Sequence, residues 1–359
     1  MIKVNLKNEC WMNFVGFSLV YIKETMFSPI FAFIIMRRNK LKYGILLLII
    51  GFIPICFAFN GSVSHIKSAA DSQSPFLVVL GIAQDGGYPH AGCKKECCKK
   101  YYEGKEKKHY VSCLALVDPL SKQRWFFDCT PDFTFELHEL DSIYPVEGNG
   151  ISGILLTHAH IGHYAGLMYL GREAMNTQNI PVYAMPGMRS FLQKNGPWSQ
   201  LVNIKNIEIR DLTADSTVYL NDRIWITPFI VPHRDEYSET VGFRISTKNR
   251  NVIFIPDIDK WGKWNRDIVK IVQQNDLLFI DGTFFKEGEL PGMKMKEVPH
   301  PFMEETMSLL ANLPDQDKQK VYFIHMNHTN PALIRDSAAI KEIEGKRFHV
   351  TKETDKFEL

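Results

Sequence analysis

An excess of either charge is missing from this sequence. Its 359 residues hold 42 Lys and Arg against 40 Asp and Glu, a net charge of +2 at neutral pH. The basic side chains are scattered and line no predicted helix face, which argues against a nucleic-acid partner. Their densest stretch, KKECCKKYYEGKEKKHY (94–110), mixes in three Glu and surrounds cysteines, so it reads as a solvated loop. No segment repeats at a fixed period, which leaves a solenoid or propeller without support. No linker interrupts the run of predicted elements from about residue 75 onward, so residues 76–359 are expected to be one domain. With 45% apolar and 23% charged residues, the composition is that of an ordinary globular protein.

What is present near the beginning is an apolar run from Tyr43 to Phe59, preceded by the basic MRRNKLK (36–42). That is the layout of a secretory signal peptide or a short N-terminal anchor over residues 36–60. Small residues, which a lipoprotein signal needs before Cys56, are lacking; Ile53, Pro54 and Ile55 stand there instead. Met36 is a natural start, so residues 1–35 are read as an upstream extension, with a second apolar hairpin arm as the alternative. The expectation is export, either to the periplasm or as a membrane-anchored chain. Residues 61–75 are small and polar and read as a linker.

Apolar runs beyond the linker predict strands at 76–87, 112–119, 124–132, 153–158, 181–185, 224–233, 241–247, 251–257, 276–283 and 320–328. Helical patterns fall between them at 132–143, 163–175, 188–195, 264–275 and 302–313. Strands in runs broken by helices favour a layered α/β domain over a strict alternation of the two. Several predicted strands end in a residue that binds metals: His158, His233, Asp257 and His325. Strand ends that converge at one edge of a sheet are where rigid scaffolds carry chemistry.

The densest cluster is GILLTHAHIGHYAGL (153–167), with His158, His160 and His163 in six residues. His158 and His160 share one side of an extended segment, and His163 begins a helix. Imidazole and carboxylate donors suit zinc, and also iron or manganese.

At these residues the chain resembles the metallo-β-lactamase fold superfamily, whose signature is HxHxDH after a strand, then a His, an Asp and a His at later strand ends. Here those positions are His158, His160, Gly162 and His163, then His233, Asp257 and His325. LGIAQDGGYPHAGC (80–93), CTPD (129–132), NDLLFIDGTFF (275–285), EVPH (297–300) and IHMNHTNP (324–331) are similar to the PqqB branch, and more loosely to PhnP phosphodiesterases and tRNase Z. Members of the PqqB branch have usually lost the first two histidines; this chain keeps them and lacks the aspartate.

The resemblance implies a four-layer αβ/βα sandwich and a two-metal centre. His158, His160 and His233 would form one site; His163, His325 and a bridging Asp257 would remain of the other. Three occupancies are open: one zinc in the three-histidine site, two metals with water filling the gap, or iron held by two histidines and one carboxylate. Gly162 also removes a charge, so a weaker second site is expected. The implied activity is hydrolysis of an ester, phosphodiester or amide of a small molecule or peptide by a metal-bound hydroxide. The alternatives are a PqqB-like non-haem iron oxygenase acting on a peptide or quinone precursor, and a non-catalytic metal-binding protein of the same fold.

Supporting roles are read partly from the resemblance and partly from the residues themselves. His300 sits where related hydrolases place a histidine near the leaving group, and Asp257 is counted with it as catalytic. Asp281 is expected to orient a ligand histidine or close a turn, Asp132 to orient His158 or His160 or cap the next helix, and His328 to back the centre. Asp259 is a rival for the bridging role. Cys93, Cys97 and Cys98 are read as a structural zinc site with His90 or a distant residue as fourth ligand, against a disulfide or free thiols. Cys113 and Cys129 are read as buried packing residues.

Overall fold

The computed structural model describes residues 73–359. The upstream extension, the signal or anchor at 36–60 and all of the linker but Gln73–Pro75 lie outside the described residues. Among the described residues no helix is long and apolar enough to cross a membrane.

The first strands are β1 (Phe76–Gly81), β2 (Cys113–Asp118), β3 (Gln123–Phe127), β4 (Gly153–Leu155), β5 (Ile180–Ala184) and β6 (Ile207–Asp211). They are followed by β7 (Val218–Tyr219), β8 (Trp225–Ile230), β9 (Val241–Ser246), β10 (Asn251–Ile255) and β11 (Leu277–Asp281). The last are β12 (Val321–Ile324), β13 (His349–Val350) and β14 (Lys356–Glu358). Two seven-stranded sheets result, in the orders β14-β1-β2-β3-β4-β5-β6 and β13-β12-β11-β10-β9-β8-β7. Each has one antiparallel half and one parallel half, the change falling at β3 in the first and β10 in the second.

Period-two alternation decides which way each side chain of the first sheet faces. Phe76, Val78 and Leu80 of β1 join Ala115 and Val117 of β2 in one apolar cluster. The intervening Leu77 and Val79 join Leu114, Leu116, Trp125 and Phe127 in the other, which also takes in the second sheet. Helices α1 (Glu96–Tyr102) and α2 (Phe133–Ile143) come first in the chain. α2, α3 (Pro186–Lys194) and α4 (Trp198–Asn203) press Phe133, Leu140, Met188, Leu192, Trp198 and Leu201 onto the outer face of the first sheet. On the second sheet α5 (Ile268–Gln274), α6 (Met303–Leu309) and α7 (Ala338–Gly345) contribute Ile271, Met307 and Ile343. The layers run helix, sheet, sheet, helix: the four-layer αβ/βα sandwich expected from the sequence.

One predicted helix is broken. In place of 163–175 there is a single turn, Ile161–Tyr164, continued as a tighter 3-10 segment over Ala165–Leu170. A Cβ at Gly166 would lie 2.1 Å from the Thr130 carbonyl oxygen, so this stretch is pressed onto the chain that follows β3.

Candidate metal centre

The two sheets bring their loop-bearing ends to one place. Asp85 follows β1, Asp128 follows β3 directly, and Thr157, His158, His160 and His163 follow β4. From the second sheet come His233 after β8, Asp257 after β10, Asp281 at the end of β11 and His325 directly after β12. Asp128 and His325 both have positive φ, 69° and 65°. For residues other than glycine that conformation costs on the order of 1–3 kcal/mol, and it turns each side chain inward at its strand end.

Asp257 lies at the middle. Its Oδ2 is 3.2 Å from His233 Nε2, 3.4 Å from His158 Nε2 and 4.0 Å from His160 Nδ1. On the other side it is 3.9 Å from both His163 Nε2 and His325 Nε2. Two sets of donors form around this shared oxygen: His158, His160, His233 and Asp257, and Asp85, His163, Asp257 and His325. In each set the donor atoms all lie within 4.8 Å of one another.

The far nitrogen of most of these rings is held by a partner outside the donor sets, which turns the near nitrogen toward the centre, where His158 Nε2 and His160 Nδ1 lie 2.8 Å apart. His163 Nδ1 meets Asp128 Oδ2 at 2.7 Å. His158 Nδ1 meets Thr157 Oγ1 at 3.0 Å, and that hydroxyl in turn donates to Asp128 at 2.9 Å. His325 Nδ1 meets Thr283 Oγ1 at 3.0 Å, and His160 Nε2 meets Glu236 Oε2 at 2.8 Å. The facing atoms, by contrast, include two buried nitrogens with no hydrogen-bond partner, His163 Nε2 and His233 Nε2. His163 Nε2 is 3.0 Å from Asp85 Oδ1 yet makes no hydrogen bond to it. Buried polar atoms left unpaired are costly, so lone pairs aimed at a common point fit a bound cation.

The electrostatics point the same way. Burial pushes the Asp257 carboxyl up, but His233, His300 and His325 outweigh it and hold it well below the carboxylate range. Asp85 behaves likewise against His163 and His325. Burial lowers the pKa of His158 far below its ordinary value, with His163 adding to the effect. His163 itself is raised well above it, because Asp128 and Asp85 overcome burial.

His300 belongs to the same centre without facing the cation sites in the way the others do. Its Nδ1 is 2.9 Å from Asp281 Oδ2, 3.2 Å from Asp257 Oδ1 and 3.1 Å from Thr283 Oγ1. Burial disfavours its charge, yet Asp281 and Asp257 push its pKa up to about 9. Asp281 also accepts from the backbone N–H groups of Ile258 and Thr283, so the carboxylate is held on three sides.

A second cluster sits in the loop after β1. Cys93, Cys97 and Cys98 bring their sulfurs together with a ring nitrogen of His328, all within 4.8 Å. Cys93 and Cys97 are free thiols with sulfurs 3.8 Å apart, well beyond the roughly 2.05 Å of a disulfide. Three sulfurs and an imidazole are the donor set of a closed tetrahedral zinc site.

Several expectations need correction. The fourth member of the cysteine cluster is the distant residue His328 and not His90, whose ring lies tilted against that of His328 at 4.3 Å between centroids. His328 therefore does not back the catalytic centre. Asp132 orients no ligand histidine and makes no side-chain cap; it pairs with Lys108 and accepts the Val111 N–H at 3.1 Å, tying down the 104–111 loop. Asp128, four residues earlier, is the carboxylate that meets His163. Asp281 meets His300 and not a ring of either donor set, while the other role expected of it holds: its Oδ1 closes the turn over Gly282 by accepting the Thr283 N–H at 2.8 Å. Asp259 pairs with Lys263 and leaves the bridging position to Asp257. The second donor set keeps two carboxylates, not one, because Asp85 enters it. Cys113 and Cys129 are buried as expected.

The residues that sequence reasoning missed, Asp85, Asp128 and Glu236, are all carboxylates. Asp128 carried a usable signal: like Asp257 and His325 it ends an apolar strand, here RWFFD. Asp85 stood in the quoted AQDGG turn, but nothing local says that this turn reaches the histidines.

Comparison with known proteins places this geometry. The beta-lactamase superfamily domain matches residues 123–326. The chain is 24% identical over 302 residues to coenzyme PQQ synthesis protein B of Methylorubrum extorquens strain PA1, covering 76% of this chain and 96% of that one. The Acinetobacter baylyi protein of the same name is 25% identical over 299 residues, covering 75% and 95%. Among solved structures, zinc-bound PqqB from Methylobacterium extorquens superposes with a TM-score of 0.68 at 23% identity, covering 79% of this chain and all of that one. A diphosphatase of the PhnP family gives 0.56 at 18% identity, covering 79% and 97%. With the family's domain matched over more than half its length, the chain belongs to the beta-lactamase superfamily.

Proposed function

We propose that this protein is a zinc-dependent hydrolase that cleaves an ester, phosphodiester or amide bond in a small molecule or peptide. The observation that carries the reading is Asp257 Oδ2, which lies within 3.2–4.0 Å of five imidazole nitrogens drawn from three strand ends. His158, His160 and His233 would hold one zinc, Asp85, His163 and His325 a second, with Asp257 between them. Zinc in such a site acidifies water to near neutrality and polarises a substrate oxygen.

The protein's own groups supply the rest. Asp128 and Thr157 fix His158 and His163 through their Nδ1 atoms, and Thr283 fixes His325. His160 is 12% exposed at its side chain against 0–1% for the other four histidines, so substrate approaches from its side, beside Glu236. Asp281 accepts the hydrogen bond of His300 Nδ1–H and leaves Nε2 as the ring's remaining donor, suited to a departing alkoxide or amine. The signal-like segment at 36–60 supports an exported location for this activity.

Hydrolysis of bis(p-nitrophenyl) phosphate and p-nitrophenyl acetate by the zinc-loaded chain tests the reading, with His158→Ala and Asp257→Ala beside it. Both variants should lose at least about 100-fold in kcat/KM, since orienting groups one layer further out already cost about 10–100-fold. Rates that survive both substitutions unchanged would place the activity elsewhere and defeat the proposal.

A further inference from the structure

The histidine motif carries no side chain at position 162, yet the second donor set is not short of a carboxylate. We propose that Asp85 supplies, from the loop after β1, the metal-binding carboxylate that position 162 lacks, and that Gly162 is the vacancy this relocation requires. The proposal rests on the two-metal reading above and extends it to a ligand from outside the motif.

Three observations carry it. A Cβ built on Gly162 would lie 2.5 Å from Asp85 Cα, 2.7 Å from its Oδ1 and 2.8 Å from its Cβ. The nearest of these is main chain, so no change of rotamer relieves the clash, and any side chain at 162 would displace Asp85. Gly162 does not have positive φ and lies within the short turn Ile161–Tyr164, so conformational freedom does not explain a glycine there. Glycine is a poor residue in a helical turn, about 1 kcal/mol worse than alanine, and space is what it provides.

Secondly, Asp85 occupies the donor position itself. Its Oδ1 is 3.0 Å from His163 Nε2 and 3.3 Å from His325 Nε2, with Asp257 completing the set. Two carboxylates and two imidazoles offer more negative charge than the single carboxylate implied by the motif alone, and they are not a two-histidine, one-carboxylate triad.

Thirdly, the loop that presents Asp85 is built into the centre. Gln84 N–H donates to the Met326 carbonyl and Met326 N–H to the Ile82 carbonyl, both at 2.8 Å, so the chain before Asp85 pairs with the chain just after His325. Gly87, at φ +66°, lets the chain turn away at once, and Gly87 N–H closes on the Gln84 carbonyl at 2.7 Å. Asp85 is thus fixed relative to His325 by main-chain bonds rather than by its own ion pairs.

Zinc content and zinc affinity of the full-length protein test this, the latter by competition with a chromophoric chelator. Wild type is compared with Asp85→Asn, Gly162→Asp, the exchange double variant Asp85→Gly/Gly162→Asp, and His163→Ala. Asp85→Asn and Gly162→Asp should each lose one equivalent or weaken that site more than about 100-fold, beyond the effect of an outer partner. The double variant, with its carboxylate back at the motif position, should recover the equivalent. Far-UV circular dichroism confirms that each variant is folded, and Asp85→Asn and the double variant keep the test sharp should Gly162→Asp fail to fold. If His163→Ala loses zinc but Asp85→Asn holds it with wild-type affinity, the proposal fails and the metal-centre reading stands. If wild type itself holds no more zinc than His163→Ala combined with His158→Ala, both fail.

Discussion

His300 differs from the other histidines of the centre in what it is tied to. Its Nδ1 is 2.9 Å from Asp281, a carboxylate that serves no other ring, and its pKa is pushed up to about 9 against the effect of burial. A ring oriented in this way is suited to protonating a leaving group, and the need for that proton scales with the basicity of the group. His300→Gln should therefore reduce kcat by about 10²–10⁴-fold on a substrate that expels an alkoxide, in the range of general acid catalysis. On a matched p-nitrophenyl substrate, whose leaving group departs without a proton, the loss should be less than about tenfold on the same reasoning. Steady-state kinetics on the matched pair make the comparison; equal losses on both would mean that His300 only shapes the pocket. At this scale the histidines were legible, because alternating imidazoles after a buried strand have few structural uses. The carboxylates that serve them were not. Whether Asp85, Asp128 or Asp132 meets a ring depends on where loops distant in sequence are packed, and local pattern does not encode that.

Among the elements, the buried strands were legible and the edges were not. LLFID of β11 and NVIFI of β10 are almost wholly buried apolar runs, and such runs announce themselves. β6, β7, β13 and β14 are two to five residues long, partly exposed, and lie at or near sheet edges, so they show neither a run nor a sustained alternation. The loop between β1 and β2 is held by main-chain bonds around Asp85 and by side chains further along. It is pinned by Tyr88, whose hydroxyl donates to the Cys97 carbonyl at 2.7 Å, and by the cluster of Cys93, Cys97, Cys98 and His328. His328 lies three residues past His325, so this cluster ties the loop that presents Asp85 to the segment that carries a ligand histidine. His328→Ala should release one zinc equivalent and speed limited proteolysis within 94–108 severalfold. It should also weaken the metal site that uses Asp85, though less than Asp85→Asn does. Zinc analysis with peptide mapping checks this; a full zinc content in His328→Ala would remove His328 from the cluster.

Taken whole, the molecule does not depend on its metals for a core. Both apolar clusters are assembled from strands and helices of the two sheets, and the first sheet is completed at its edge by β14, just beyond which Leu359 N–H donates to the Pro75 carbonyl at 2.8 Å. The centre also has its own means of compensating charge. His163 stands between Asp128 and Asp85 with its pKa raised well above the ordinary value, so a proton can take the place of a cation there. Metals that bind only the folded state should therefore add stability without creating the fold. At free zinc about 1,000 times Kd, each site contributes about 4 kcal/mol. In a folded unit as long as 73–359, at about 2.1 cal/mol/K per residue, 1 kcal/mol moves Tm by about 1.5–2 °C, so stripping even one such site should lower Tm by about 7 °C. Thermal unfolding after exhaustive chelation, followed by far-UV circular dichroism, should show that drop with the folded spectrum unchanged at 20 °C. A spectrum that collapses on chelation would instead make the metals part of folding, as in a zinc finger, and the protonated His163 would then be an insufficient substitute for the cation.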